Sequence, residues 1–392
     1  MIHSISRLVQ GIQIFAAFGA ASSSVYYLLC LWSASAFLRQ RRGEMSSPAP
    51  TLPPVSILKP LKGVDPEIYQ SFRSHCLQDY PDYEIIFGVS DPNDPAVASV
   101  RQLQNEFPAR SIRLMVCPNI LGANVKVSNL AQMVADARHQ HLLVNDSDIR
   151  VETDYLRGVM APLANPKVGM VTCLYRGVAA DTLGSRIESL GISTDFCAGV
   201  LAARQLENGL KFGLGSTMAF RRADLEKIGG FESFADYLAD DYELGNRIAS
   251  LGLEVNLSEV VVETNLPAYS LPQFLSHQLR WARGVRDARS GGYFGLVLTH
   301  GLFWSCAVVV TSCGVLWAWT LAGATLCLRL AVALLVGKAV LRDRQLFGAL
   351  WLLPIRDLIA VGIWAASLVG HTVSWRGDRF KLKDGRLMRT DA

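Results

Sequence analysis

No Cys-x-x-Cys pair occurs in this sequence, there is no block of basic residues, and residues 12–38 carry no charge at all. Each absence excludes something. Eight cysteines (Cys30, Cys76, Cys117, Cys173, Cys197, Cys306, Cys313, Cys327) without paired spacing give neither a zinc site nor a disulfide framework, and they read as buried free thiols. A formal net charge of +4, without clustered basic residues, points away from nucleic acid. Nothing in the pattern implies a protein partner. The uncharged stretch is too long for the apolar core of a signal peptide, although Ala34-Ser35-Ala36 resembles a cleavage site. Arg39, Arg41 and Arg42 follow it at once, so the stretch is expected to remain as a membrane span that holds the next domain in the cytoplasm.

What the chain has in quantity is apolar residues. Half of its 392 residues are hydrophobic and they crowd toward the two ends, as in a membrane protein with a soluble middle. The expected division is an N-terminal anchor over 1–42, a Pro- and Ser-rich linker over 43–54, a cytoplasmic domain over 55–270, an amphipathic interfacial helix over 271–290, a membrane region over 291–372 and a basic tail over 373–392. Residues 294–341 are long enough for two spans and 346–370 for a third, which would leave the basic tail on the disfavoured side. Pro354, Arg356 and Asp357 lie inside the last stretch, and an arginine at mid-bilayer costs about 2.5–3.5 kcal/mol. That segment is therefore re-entrant, or it packs its charges inward.

In the soluble middle, short apolar runs at 55–59, 84–89, 112–116 and 141–144 alternate with helical stretches at 66–77, 95–107 and 125–138. Further strands are expected at 168–174 and 216–220, while 187–202 fits either core or membrane surface. Alternation of this kind predicts an α/β fold with a mostly parallel sheet and a ligand crevice at the carboxyl ends of its strands. Those ends carry Lys59 and Lys62, then Asp91, then Asp146 and Asp148. Two acids at i and i+2 suit one hard divalent cation, Mg or Mn, which keeps coordination sites for water and phosphate oxygens. Read alone, Asp146-Ser147-Asp148 is also a solvated turn, and Asp91 before Pro92 likewise fits turn chemistry. Gly122-Ala123-Asn124-Val125-Lys126 opens a helix where backbone donors, Asn124 and Lys126 suit a diphosphate or a base edge, or merely start the helix.

Asp240 and Asp241 open another helical run. They serve there as cap residues, or one is a general base whose pKa a neighbouring carboxylate and burial raise from ~3.9. The loop 213–217, Gly-Leu-Gly-Ser-Thr, is a flexible approach placed near an acceptor. In the basic helix 271–289, His277, Arg280 and Trp281 stand at i, i+3 and i+4 and share a face. The arginines at 280, 283, 286 and 289 drift about 60° per step, so they cannot all reach one phosphate, and Arg286 and Arg289 are expected to meet anionic lipid.

Taken in order, these residues resemble the ceramide glucosyltransferase family, glycosyltransferases with a GT-A fold for nucleotide sugars. The resemblance runs from Ser56-Ile57-Leu58-Lys59-Pro60-Leu61-Lys62-Gly63 to Ser374-Trp375-Arg376 and rests on Asp91, Asp146-Ser147-Asp148, Asp240-Asp241-Tyr242 and Arg280-Trp281 in succession. It implies that Asp91 helps to hold the uridine of a UDP-sugar; Lys59, Asn124 and Lys126, from their positions at strand and helix ends, and His277, on the face of Arg280, are also expected on the donor side. Asp146 and Asp148 would hold metal and diphosphate, Asp241, beside Asp240, would deprotonate the acceptor, and Arg280 and Trp281 would serve the diphosphate and acceptor region. Two departures are informative. Animal ceramide glucosyltransferases usually lack the second metal acid, here Asp148, and their closing motif starts with Arg where this chain has His277. The run His277-Gln278-Leu279-Arg280-Trp281-Ala282-Arg283 is more similar to bacterial hopanoid-associated glycosyltransferases, as is Val171-Thr172-Cys173-Leu174-Tyr175-Arg176. The resemblance implies an inner-membrane enzyme moving glucose or N-acetylglucosamine to a lipid hydroxyl such as that of bacteriohopanetetrol.

Overall fold

The computed structural model describes residues 2–44, 52–375 and 377–389. An eight-stranded sheet is built from β1 (Val55–Leu61), β2 (Tyr83–Val89), β3 (Ser111–Val116), β4 (His141–Val144), β5 (Ile149–Arg150), β6 (Val168–Val178), β7 (Met218–Arg221) and β8 (Glu254–Asn265). Its order is β3-β2-β1-β4-β7-β6-β8-β5. The first four strands are mutually parallel, and β7 runs antiparallel between β4 and β6.

Every residue of β1 and β2 is buried, as expected of parallel strands covered on both faces. Pro60 is tolerated within β1 because β4 pairs only with Val55–Leu58, so the missing N–H falls where that ladder has stopped. The helix Val125–Asp136 packs so closely on β2 that a Cβ at Gly88 would lie 2.4 Å from Met133 Sδ. The expected strands are present, with the sixth extended to Val178 and the seventh shifted to Met218–Arg221. Two strands are additions. β8 runs parallel beside β6 along its length, and the two-residue β5 pairs antiparallel with β8 just after the acidic turn.

The stretch left between core and membrane surface is a core element. Helix Leu183–Gly191, a π-turn over Ile192–Phe196 and helix Cys197–Leu206 form a layer between β6 and the N-terminal helix. Cys197 Sγ donates to the Tyr175 carbonyl in β6, and Cys30 Sγ of the N-terminal helix donates to the Ala198 carbonyl. The expectation of buried thiols holds for Cys30, Cys76, Cys117, Cys173 and Cys197. It fails for Cys306, Cys313 and Cys327, which stand on the outer face of the apolar C-terminal helices.

The N-terminal helix Ile2–Glu44 has 43 residues and is roughly 65 Å long, about twice the apolar thickness of a bilayer. Its C-terminal part therefore rises out of the membrane and packs on the soluble domain. The helix continues through the start of the expected linker, whose residues 45–51 lie outside the described residues.

Among the described residues three helices are long and apolar enough to cross a membrane, Arg7–Arg41, Leu316–Val340 and Leu346–Ser367, and Ser290–Thr299 with Gly301–Thr311 forms a pair bent by 51°. Arg356 and Asp357 do pack inward. Arg329 holds Asp357 through Nε at 2.8 Å and Nη2 at 2.9 Å, and Arg356 lies 2.8 Å from Asp195.

The expected basic tail is a second sheet, β9 (Thr372–Trp375), β10 (Asp378–Lys383) and β11 (Arg386–Arg389), antiparallel throughout. Its inner face buries Val373, Phe380, Leu382 and Leu387 against Leu238. It therefore lies on the same side as the soluble domain, so the apolar helices before it bring the chain back to that side. Arg286 and Arg289 do not reach outward to lipid as expected. Arg286 is buried and donates to the carbonyls of Ser367 and Gly370, and Arg289 pairs with Glu207 at 2.6 Å.

Candidate active site

The acidic turn is fixed from below. Asn145, fully buried, donates through Nδ2 to Tyr155 Oη at 2.8 Å and to the Ser216 carbonyl at 2.7 Å. Ser147 donates its hydroxyl to Asp65. Lys59 is 0% exposed, and its ammonium donates to the Asp146 carbonyl at 3.0 Å. Burial pulls the Lys59 pKa down to about 7, against the pull of Asp148 and Asp146. The expected ligand-binding lysine is thus a prop beneath the turn, because a fully buried strand end gives its side chain no route to a ligand.

Above this base the carboxylates converge. Lys126 Nζ lies 2.8 Å from Asp146 Oδ1 and 2.9 Å from Asp240 Oδ2, bridging the turn after β4 and the start of helix Asp240–Ser250. Burial works against its charge, but the two aspartates outweigh burial and hold its pKa above the ordinary lysine value. Asp148 accepts a hydrogen bond from Thr264 Oγ1 at 2.6 Å. Burial, then the charge of Asp146, pushes the Asp148 carboxyl up to about 6. Asp241 accepts from the backbone N–H of Gly215 at 3.0 Å and of Tyr242 at 2.8 Å. Burial, then Asp240, pushes it to about 6 as well. Gly215 lies between the two acid pairs: a Cβ there would sit 2.8 Å from Asp146 Oδ2 and 3.5 Å from Asp241 Oδ2.

A buried carboxylate, Asp148, raised further by the charge of the partly exposed Asp146 beside it, fits a divalent cation, which would relieve that repulsion. Among the described residues no three His, Cys, Asp or Glu side chains gather as a closed metal cage. A cation held by Asp146 and Asp148 would take its remaining ligands from outside the protein, as Mg or Mn at a diphosphate does.

The other expected residues fall into two groups. Asn124 is buried and caps its helix by accepting from Val127 N–H at 3.2 Å, while Nδ2 donates to the Tyr237 carbonyl at 2.8 Å. With both ends of its amide engaged, it positions Lys126 and does not face a ligand. Asp91 is exposed at the end of β2 and accepts from Asn93 N–H at 2.8 Å, the turn its sequence allowed, on the same sheet edge as the acidic turn.

On the interfacial helix Leu271–Ala288, His277 stacks on Tyr269 with ring centroids 5.3 Å apart, and it leans on Trp281 at the same distance. His277 Nδ1 is 3.5 Å from the buried carboxylate of Glu188. Burial, then Glu188, pushes the Tyr269 hydroxyl up to about 12, and the charges of Arg280, Asp148 and Asp65 also bear on it. Tyr269 thus marks where the Arg280 face approaches the acidic turn. Thr264, Asp65 and Glu188 carried no signal in the sequence, since each owes its place to a tertiary contact. Gly215 was visible only as part of a flexible loop.

A mostly parallel sheet with an acidic turn at the end of β4, a second acid pair opening a helix across from it and an amphipathic helix closing the cleft is a glycosyltransferase of the GT-A type. The same fold is seen in the mannosyltransferase PcManGT from Pyrobaculum calidifontis, solved with GDP-Man and Mn2+, at 21% identity and a TM-score of 0.53, with 92% of this chain and 99% of that one covered. The chain belongs to glycosyl transferase family 21, which it matches over residues 15–388. Ceramide glucosyltransferase 1 of Caenorhabditis elegans is 25% identical to it over 97% of this chain and 83% of its own length. Ceramide glucosyltransferase 3 of the same organism is 25% identical, covering 86% and 74%. The protein is a membrane glycosyltransferase.

Proposed function

We propose that this enzyme transfers a sugar, N-acetylglucosamine or glucose, from a UDP-sugar to a hydroxyl of a membrane lipid with inversion at the anomeric carbon. The observation that carries the reading is the convergence of Asp146 and Asp241 on Gly215 from two different elements. A leaving-group clamp and a base stand there on either side of one small gap. Asp241 takes the proton of the attacking hydroxyl. Its pKa, raised to about 6, makes it a better base than an ordinary aspartate and leaves it mostly ionised near neutrality. Gly215 and Tyr242 fix its orientation through their N–H groups. A divalent cation on Asp146 and Asp148, when bound, neutralises charge developing on the diphosphate. Arg280 adds positive charge from the interfacial helix, Trp281 walls the acceptor side, and Asp91 lies where the uridine end of the donor would reach. One base and no second nucleophile favour single displacement.

The preferred acceptor is a hopanoid polyol such as bacteriohopanetetrol, with the enzyme in a bacterial inner membrane and the catalytic domain in the cytoplasm. Asp148 and His277 support this choice over ceramide. The named relatives support the second reading, UDP-glucose to ceramide. Membranes given UDP-glucose or UDP-N-acetylglucosamine, each against ceramide and the tetrol, separate the two. A glycosylated tetrol is expected, and reaction of ceramide with UDP-glucose alone would replace the first reading with the second. A ladder of sugar lengths would instead indicate a processive polymerase.

A further inference from the structure

Two neighbouring ion pairs join the π-turn Ile192–Phe196 to the membrane helices, and they are built for different purposes. Arg329 is almost fully buried and saturated. Beyond its two bonds to Asp357, Nη1 donates to the Thr194 carbonyl at 3.0 Å and Nη2 to Thr194 Oγ1 at 3.2 Å. A charge enclosed this completely is a brace. Asp195, the next residue, meets Arg356 at 2.8 Å through Oδ2, yet its side chain is 40% exposed. Its charge also reaches Tyr26 of the N-terminal helix and His300 at the break of the bent helix pair. His300 Nε2 is buried with no hydrogen-bond partner among the described residues.

Through the next residue, Phe196, the π-turn reaches toward the active site by aromatic packing. Phe196 lies 5.4 Å from the Tyr175 ring and 6.0 Å from Trp281, and the charges of Asp241 and Asp146 reach Tyr175. The part of the Asp195 carboxylate that stays exposed beyond its pair with Arg356 can accept from a polar guest, and π-turns are frequent at functional sites.

Resting on the lipid-acceptor reading, we infer that Asp195 and His300 form the subsite for the acceptor's polar head, selecting lipids that carry hydroxyl or amide donors beyond the hydroxyl that reacts. Asp195 accepts from one such group, His300 Nε2 engages another, and Phe196 and Trp281 guide the reacting hydroxyl toward Asp241. The apolar body of the lipid leaves between the spans.

The test uses the full chain in nanodiscs with ceramide and bacteriohopanetetrol as probes, comparing wild type with Asp195→Asn and His300→Phe. The second variant loses no internal hydrogen bond of His300 Nε2, so it keeps the fold where the first weakens the pair with Arg356. The acceptor KM should rise roughly tenfold in each, the loss of one good hydrogen bond to a charged or buried group, with the UDP-sugar KM and slow donor hydrolysis by water unchanged. Unchanged acceptor KM in both variants overturns the subsite. So does a parallel loss of donor hydrolysis in both, which marks a structural role. If wild type glycosylates neither lipid, the lipid-acceptor reading itself fails and takes the subsite with it.

Discussion

The turn after β4 and the start of helix Asp240–Ser250 each present two aspartates, and Lys126 takes one from each, Asp146 and Asp240. What is left over differs. Asp148 keeps a carboxylate held by one hydroxyl, that of Thr264, whereas Asp241 is gripped by two backbone N–H groups. Both are raised to about 6, burial being the larger cause in each case. A loosely held pair of carboxylates with oxygens to spare suits a cation. A single carboxylate fixed at both oxygens suits transfer of one proton along one direction. In the proposed mechanism one lysine thus divides four similar acids into two chemistries.

The largest effect should come from the fixed acid. Asp241→Asn removes the base and is expected to lower kcat by about 10^2–10^4-fold, measured as UDP release in membranes, and no metal concentration should restore it. Asp148→Asn should behave differently: the apparent Kd for Mn rises by at least about tenfold, and activity returns as Mn is raised. If Asp241→Asn were rescued by metal and Asp148→Asn were not, the two pairs would have exchanged roles.

Next in size is the bridge. The rate should climb about tenfold per pH unit below the Asp241 pKa and level off above about 6, because the acid must lose its proton to act as a base. Lys126 lowers that pKa. Lys126→Met should therefore move the acidic limb of the kcat profile to higher pH, with a several-fold loss near neutrality that is recovered at alkaline pH. A limb that stays in place would show that Lys126 does not govern the base.

Much of this could be read from the chain, and the unread parts have physical reasons. The run Leu142-Leu143-Val144 before Asp146 identified β4 because a strand buried on both faces is continuously apolar. β8 escaped because Glu254, Glu259 and Glu263 interrupt it where its edges are open, so its Thr264 could not be tied to Asp148. Lys59 was assigned to a ligand on its charge, but its strand is buried along its whole length. The tail looked merely basic because Phe380 and Leu382 alternate with Arg379, Lys381 and Lys383. That period of two is a half-buried strand, and its partner is a distant loop.

That partner gives the smallest and most selective prediction. The loop entering Asp240–Asp241 is held by the tail sheet: Leu238 N–H donates to the Gly385 carbonyl at 3.1 Å, and Leu387 N–H donates to the Asp236 carbonyl at 2.6 Å. The turn after β4 is held from beneath by Asn145, Lys59 and Ser147 instead. Leu387→Ala removes a buried side chain from the tail cluster at a cost of about 2 kcal/mol, enough to loosen the sheet without unfolding the catalytic domain. Loosening is a smaller insult than the ~1 Å misplacement that costs about 10^2-fold, so kcat should fall only roughly two- to fivefold. The Mn concentration for half-maximal rate should not move, because the metal pair is anchored elsewhere. A matching change in that concentration would mean that the tail supports both acid pairs, and the division at Lys126 would then be less complete than the geometry indicates.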